Sequence, residues 1–174
     1  LYRFAFEEGL RGDNPALRIS GPRRARTLPA TLSEAEVTRL LDTARIHGRT
    51  ATDRLRNAAM MEVLYATGLR VSELVTLPAA AGGTRVMLLV RGKGDKVRLV
   101  PLSAPAQAAL ADWLTARDAA DAAAVARGAK PSPFLFPGRT PGTHVTRQSV
   151  FAMVKVLAVA AGVDPGRVTP HTLR

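Results

Sequence analysis

The chain has 174 residues, no cysteine and three histidines, and its 25 Lys and Arg against 14 Asp and Glu leave a net charge of +11 and a pI near 11.4. Those totals exclude disulfides, thiolate metal sites and cysteine nucleophiles, suit an intracellular (cytoplasmic) protein, and point to a polyanionic partner, with nucleic acid ahead of a membrane surface. Charge or Gly interrupts every apolar run before the roughly 18 residues of a membrane span, no secretory signal is visible, and no basic amphipathic helix carries Trp or Phe on its other face.

Leu1 to Gly9 has apolar residues at 1, 2, 4, 5 and 6 and then a Gly stop, the pattern of the last turns of a helix whose beginning is missing. Asp13-Asn14-Pro15 breaks the chain. Residues 19–30 carry Gly21, Pro22, Pro29 and the cations Arg23, Arg24 and Arg26, a basic linker and a domain boundary. Its arginines suit a solvated tether and a phosphate backbone equally well.

Ser33 with Glu36 forms a capping box for a helix to about Arg45, with Val37, Leu40, Leu41 and Ala44 on its apolar face. A second helix, from about Thr52 to Ala66, has the spacing of a largely buried element, with Tyr65 in the core. Gly68 can take the positive φ that stops it, and Ser72 with Glu73 can open the next helix, so Arg70 falls on a tight corner. Taken by itself, an Arg there is more often a solvated turn residue than a functional one.

After a short third helix, 85–91 and 96–101 are β-rich runs flanking Gly92-Lys93-Gly94-Asp95, a hairpin with Lys93 at its tip; 78–83 predicts no regular structure. Residues 104–127 read as an Ala-rich helix with Leu110, Trp113 and Leu114 on one side. Four prolines between 130 and 143 surround Phe134-Leu135-Phe136, an apolar plug in a loop. Thr146 caps a helix to about Ala161, closed by Gly162, and Val168-Thr169-Pro170 leads into His171-Thr172-Leu173-Arg174 at the start of another. His47 and His144 have no partner motif and read as surface residues. The fold class is α+β, mainly α-helical, with a small antiparallel hairpin or sheet.

Three places therefore hold residues suited to a phosphate: Arg70, Lys93, and His171 with Arg174, the last two on one helical face at i, i+3. Breaking a phosphodiester without a metal requires charge stabilisation on two non-bridging oxygens, which two guanidiniums can give. A Lys can protonate the leaving alkoxide, and an imidazole can orient or deprotonate the nucleophile.

Ala66-Thr-Gly-Leu-Arg-Val-Ser-Glu-Leu74, the run from Gly92 to Leu102, Leu135-Phe-Pro137 with Thr146-Arg-Gln148, and His171-Thr-Leu-Arg174 resemble, in order, the motifs of the tyrosine recombinase (phage integrase) family, and within it those of the Xer recombinases that resolve chromosome dimers. The resemblance implies site-specific DNA cleavage and rejoining through a 3′-phosphotyrosyl intermediate. It makes Arg70 and Arg174 the arginines on the scissile phosphate, Lys93 the general acid, His171 the residue assisting the nucleophile, and Glu73 a structural acid beneath the site. Arg147 and Gln148 open a helix that lies against DNA in the family, where DNA contact and solvated surface weigh equally; Lys96 and Arg98 become strand-face cations near the backbone. It implies double-stranded DNA and other protomers of a tetrameric synapse as partners, and no metal, cofactor, membrane or small-molecule substrate. Residues 1–18 match the end of a core-binding (SAM-like) domain, 19–30 the linker, and 31–174 a catalytic domain incomplete after its second motif box.

Three departures stand out. The family's nucleophilic tyrosine follows box II, whereas Tyr2 and Tyr65 precede the motifs, so no nucleophile is assigned and the chain alone is expected to be inactive. Asn57 replaces the family's Asp after Arg56 and is expected to weaken a local salt bridge. The short 78–83 stretch is expected to leave a hairpin where the family has three strands. The competing reading is a DNA-binding module without chemistry, or a degenerate recombinase.

Overall fold

The computed structural model describes residues 1–19, 31–82, 86–92 and 96–173; Arg23, Arg24, Arg26, Lys93 and Arg174 lie outside that set. Helix α1 (Tyr2–Glu7) is followed by a 3-10 turn, Pro15–Arg18, where Asn14 Oδ1 accepts the Ala16 N–H at 3.2 Å. Helix α2 (Glu34–Ile46) starts on the expected box: Ser33 N–H donates to Glu36 Oε2 at 2.8 Å, and Glu36 N–H returns to Ser33 Oγ at 3.3 Å.

Helix α3 (Ala51–Thr67) is the spine of the fold. Asn57 to Leu64 are all buried, because α2 packs on one side and α5 (Ala104–Val125) on the other. A helix covered on two sides needs small and apolar residues around most of its circumference, and Ala58-Ala-Met-Met61 and Val63-Leu64 supply them. The exception, Glu62, pairs with Arg45 at 2.7 Å. Tyr65 departs from expectation: it is 47% exposed, because it follows directly on the covered stretch and faces away from it. Asn57 makes a bond of its own at this position. Its amide donates to the His47 carbonyl at 2.9 Å, a bond no carboxylate could donate, while Arg56 keeps Asp53 as its partner at 2.9 Å.

Strands β1 (Met87–Arg91) and β2 (Val97–Pro101) pair antiparallel, with Met87 opposite Pro101 and Val90 opposite Arg98, as a two-stranded sheet among the described residues. The stretch expected to be irregular forms a 3-10 turn, Ala79–Gly82. Ala79 N–H bonds the Pro133 carbonyl and Leu135 N–H the Leu77 carbonyl, both at 2.8 Å, so the proline-rich loop runs alongside it.

That loop is fastened from α5. Trp113 Nε1–H donates to the Leu135 carbonyl at 2.9 Å and its ring stacks on buried Phe136. The buried Arg117 guanidinium spans the Ser132 and Phe134 carbonyls and pairs with Asp118 and Asp121. His144, expected at the surface, packs edge-on against Phe134 and is half-buried, as is His47. The loop delivers Thr146, whose Oγ1 accepts the Ser149 N–H at 3.1 Å and caps α6 (Arg147–Ala160). Val150 and Val154 of α6 share one core with Leu74, Val168 and Leu173. Among the described residues no helix is long and apolar enough to cross a membrane.

Candidate nucleic-acid interface

The corner forms because Gly68, at φ 59° and ψ 27°, ends α3 in the left-handed conformation that costs Gly little. Leu69 then turns into the core, and the extended Arg70, not Ser72, caps α4 (Val71–Val75). Its N–H donates to Glu73 Oε2 at 2.8 Å, the half of a capping box that an Arg can make. With its backbone fixed, the Arg70 side chain is 58% exposed, and its Nη1 lies 3.4 Å from Glu73 Oε1, at the outer limit of a hydrogen bond.

Glu73 is the hub, at 7% exposure. Besides the Arg70 N–H it accepts a bidentate pair from Arg98, Nη1 to Oε1 at 3.1 Å and Nη2 to Oε2 at 3.0 Å. Burial pushes its carboxyl up, but hydrogen bonds and charge from Arg98 with the Arg70 N–H outweigh that and hold it below the ordinary carboxylate range. Glu73 in turn raises the Arg98 guanidinium against a smaller desolvation effect.

The register explains why Arg98 turns inward. Directly opposed residues of an antiparallel pair share a face, and Arg98 opposes Val90, which with Leu88 faces the core. Arg98, expected as a strand cation near the DNA backbone, also links the hairpin to the corner. Gly92 belongs to the same contact: a Cβ there would meet Arg98 Nη1 at 2.9 Å and Glu73 Oε1 at 3.6 Å. Local spacing could not reveal a pair 25 residues apart; only strand pairing and the turn after α3 bring it together.

Other candidates lie on separate elements. Arg147 and Gln148 are exposed on the first turn of α6, and Lys96 is exposed just before β2. His171 is exposed on the turn after Pro170, where Thr169 and Thr172 exchange backbone N–H to hydroxyl bonds at 2.9 and 3.2 Å, the reciprocal pattern of a helix start. Within the described residues this segment is a turn, anchored by buried Leu173, and no hydrogen bond joins His171, Arg147, Gln148 or Lys96 to the Glu73 cluster. No group of three or more His, Asp or Glu among the described residues is arranged to hold a metal.

The chemical content is an exposed guanidinium on a fixed backbone, in a strongly basic chain, with its neighbouring carboxylate already committed to a second Arg. The phage integrase family model matches residues 30–174.

The chain belongs to the phage integrase family.

It is 47% identical to the tyrosine recombinase XerD of Bradyrhizobium diazoefficiens, over 100% of this chain and 57% of that protein. It is 41% identical to the tyrosine recombinase XerC of Erythrobacter litoralis, over 99% and 53%. The chain thus spans about half the length of the curated relatives it matches. Among solved structures, XerA recombinase superposes with a TM-score of 0.68 at 29% identity, covering 88% of this chain and 50% of that one. The XerH site-specific recombinase bound to its difH substrate shares the fold, with a TM-score of 0.66 at 21% identity over 88% and 42%. The mainly helical architecture with a small antiparallel sheet is therefore that of the phage integrase family.

Proposed function

We propose that this chain is the phosphate-holding part of a Xer-like site-specific tyrosine recombinase, which cuts and rejoins duplex DNA through a 3′-phosphotyrosyl intermediate. The observation that carries the reading is Arg70: its backbone is pinned at the α3–α4 corner while its guanidinium stays exposed beside a carboxylate neutralised by Arg98. A fixed, unspent guanidinium can give two parallel hydrogen bonds to a phosphate and needs no reorganisation as charge develops.

In this reading Arg70 and Arg174 hold the scissile phosphate, Lys93 protonates the leaving 5′ oxygen, and His171 assists the attacking hydroxyl. Arg147 and Gln148 at the start of α6, Lys96, and Arg23, Arg24 and Arg26 of the 19–30 linker contact the duplex, with 1–18 ending a core-binding domain and 31–174 forming the catalytic one. The partners are double-stranded DNA and further protomers of a four-subunit synapse, in the cytoplasm. Tyr2 on α1 and exposed Tyr65 at the end of α3 are not assigned the nucleophile's role, so the 174-residue chain is taken to bind DNA and not to cleave it.

Binding of a labelled duplex at several salt concentrations tests this directly. Log K is expected to fall by about 0.9 per phosphate neutralised, and Arg70→Ala to weaken binding. Affinity that stays flat from low to physiological salt removes the reading, and a covalent adduct on a nicked suicide duplex removes the claim that neither tyrosine is the nucleophile.

A further inference from the structure

Two guanidiniums and one carboxylate meet at the corner, and they share unequally. Glu73 Oε2 takes the Arg70 backbone N–H at 2.8 Å and Arg98 Nη2 at 3.0 Å. Oε1 takes Arg98 Nη1 at 3.1 Å and Arg70 Nη1 at 3.4 Å. A carboxylate offers about four acceptor positions, and all four have a donor, with the Arg70 side chain as the longest and weakest. Arg98 reaches this place because β2's register sets it on the core-facing side opposite Val90, and because Gly92 leaves room beside its guanidinium.

We propose that Arg98 is a positioning residue that occupies Glu73 and so keeps the Arg70 guanidinium free to bind a DNA phosphate. The proposal rests on the reading of Arg70 as a phosphate ligand. Without Arg98, the carboxylate would remain buried and charged, and Arg70 is the other cation paired with it among the described residues. An uncompensated charge at 7% exposure is strongly disfavoured, and Arg70 has only to close from 3.4 Å to replace the lost partner. It would then have to leave Glu73 before binding a phosphate. Arg98 therefore acts on DNA through Arg70, without touching it.

The test is the affinity of the 174-residue chain for a short duplex at fixed salt, with circular-dichroism melts confirming folding. Arg98→Gln should weaken binding about tenfold, the order of one charge-assisted contact, and so should Arg70→Ala. The two together should weaken it little further, since Arg70 is already engaged in the Arg98→Gln protein. Glu73→Gln combined with Arg98→Gln has the wild-type net charge and should bind within about threefold of wild type on the same scale. A double variant as weak as Arg98→Gln alone, or additive losses from Arg70 and Arg98, would mean that Arg98 contacts DNA itself and would overturn the proposal. Should Arg98→Gln not fold, Arg98→Lys replaces it: the charge is unchanged but the fork is lost, so binding weakens, and unchanged affinity refutes the idea. Failure of the wild-type chain to bind duplex DNA at all would instead remove the recombinase reading.

Discussion

Glu73→Ala is the most informative single change for stability. It removes the acceptor of the Arg70 N–H, a capping bond worth about 1 kcal/mol, and both contacts to Arg98. Breaking a fully buried pair costs about 3–5 kcal/mol because the stranded charge stays dry. Here the survivor is 44% exposed and can rehydrate, so the loss falls nearer the roughly 1.5–3 kcal/mol of a hydrogen bond to a charged group. The sum is about 3 kcal/mol, or roughly 6–12 °C in Tm for a chain of this size. Arg70→Ala, by contrast, removes an exposed side chain from a 3.4 Å contact and should cost no more than about 0.5 kcal/mol. Urea denaturation followed by circular dichroism gives both values, with the midpoint moving and the slope unchanged. A Glu73→Ala loss below about 1 kcal/mol, or an Arg70→Ala loss as large as that of Glu73→Ala, would refute the assignment of Glu73 as the hub.

Three other outcomes follow from the same structure. Gly92→Ala should weaken DNA binding in the same direction as Arg98→Gln, because its Cβ would lie 2.9 Å from Arg98 Nη1 and press on its contact with Glu73; wild-type affinity would show that the guanidinium or the hairpin shifts instead. Gly138→Ala should destabilise by about 1–3 kcal/mol, since its Cβ would meet Thr143 Oγ1 at 2.5 Å and the His144 carbonyl oxygen at 2.7 Å; an unchanged urea midpoint would contradict that. Acid should also weaken the fold. Glu36, held down first by the Ser33 N–H and hydroxyl and then by Arg167, and Glu73 both have folded pKa values below the ordinary 4.5. Their contribution is complete above the unfolded value and is lost as pH falls through the folded ones. Tm should accordingly drop below about pH 4.5, and Glu73→Gln should flatten part of that drop; identical profiles would exclude Glu73 from it.

Much of the fold was legible because its signals are local. Ser33 and Thr146 each accept the backbone N–H of the third residue on, and Gly68 ends α3 at positive φ, as short-range chemistry requires. Family membership was legible for a similar reason, since the motifs are contiguous runs. Arg70 was visible as a corner cation, although the residue that opens α4 is Arg70 and not Ser72.

What the sequence could not settle are properties of pairs far apart along the chain. Tyr65 continues the apolar spacing of α3, yet whether that face is covered depends on where neighbouring elements lie, and it is exposed. Arg98 and Lys96 look alike as strand cations. Pairing with β1 sets one against Val90 and turns it to Glu73, while the other remains exposed before the strand begins. The sequence by itself determined the helices, the basic character and the family. Tertiary structure alone decided that the buried carboxylate is neutralised from the hairpin, because a buried charge must find its partner in three dimensions, and here that partner lies 25 residues away.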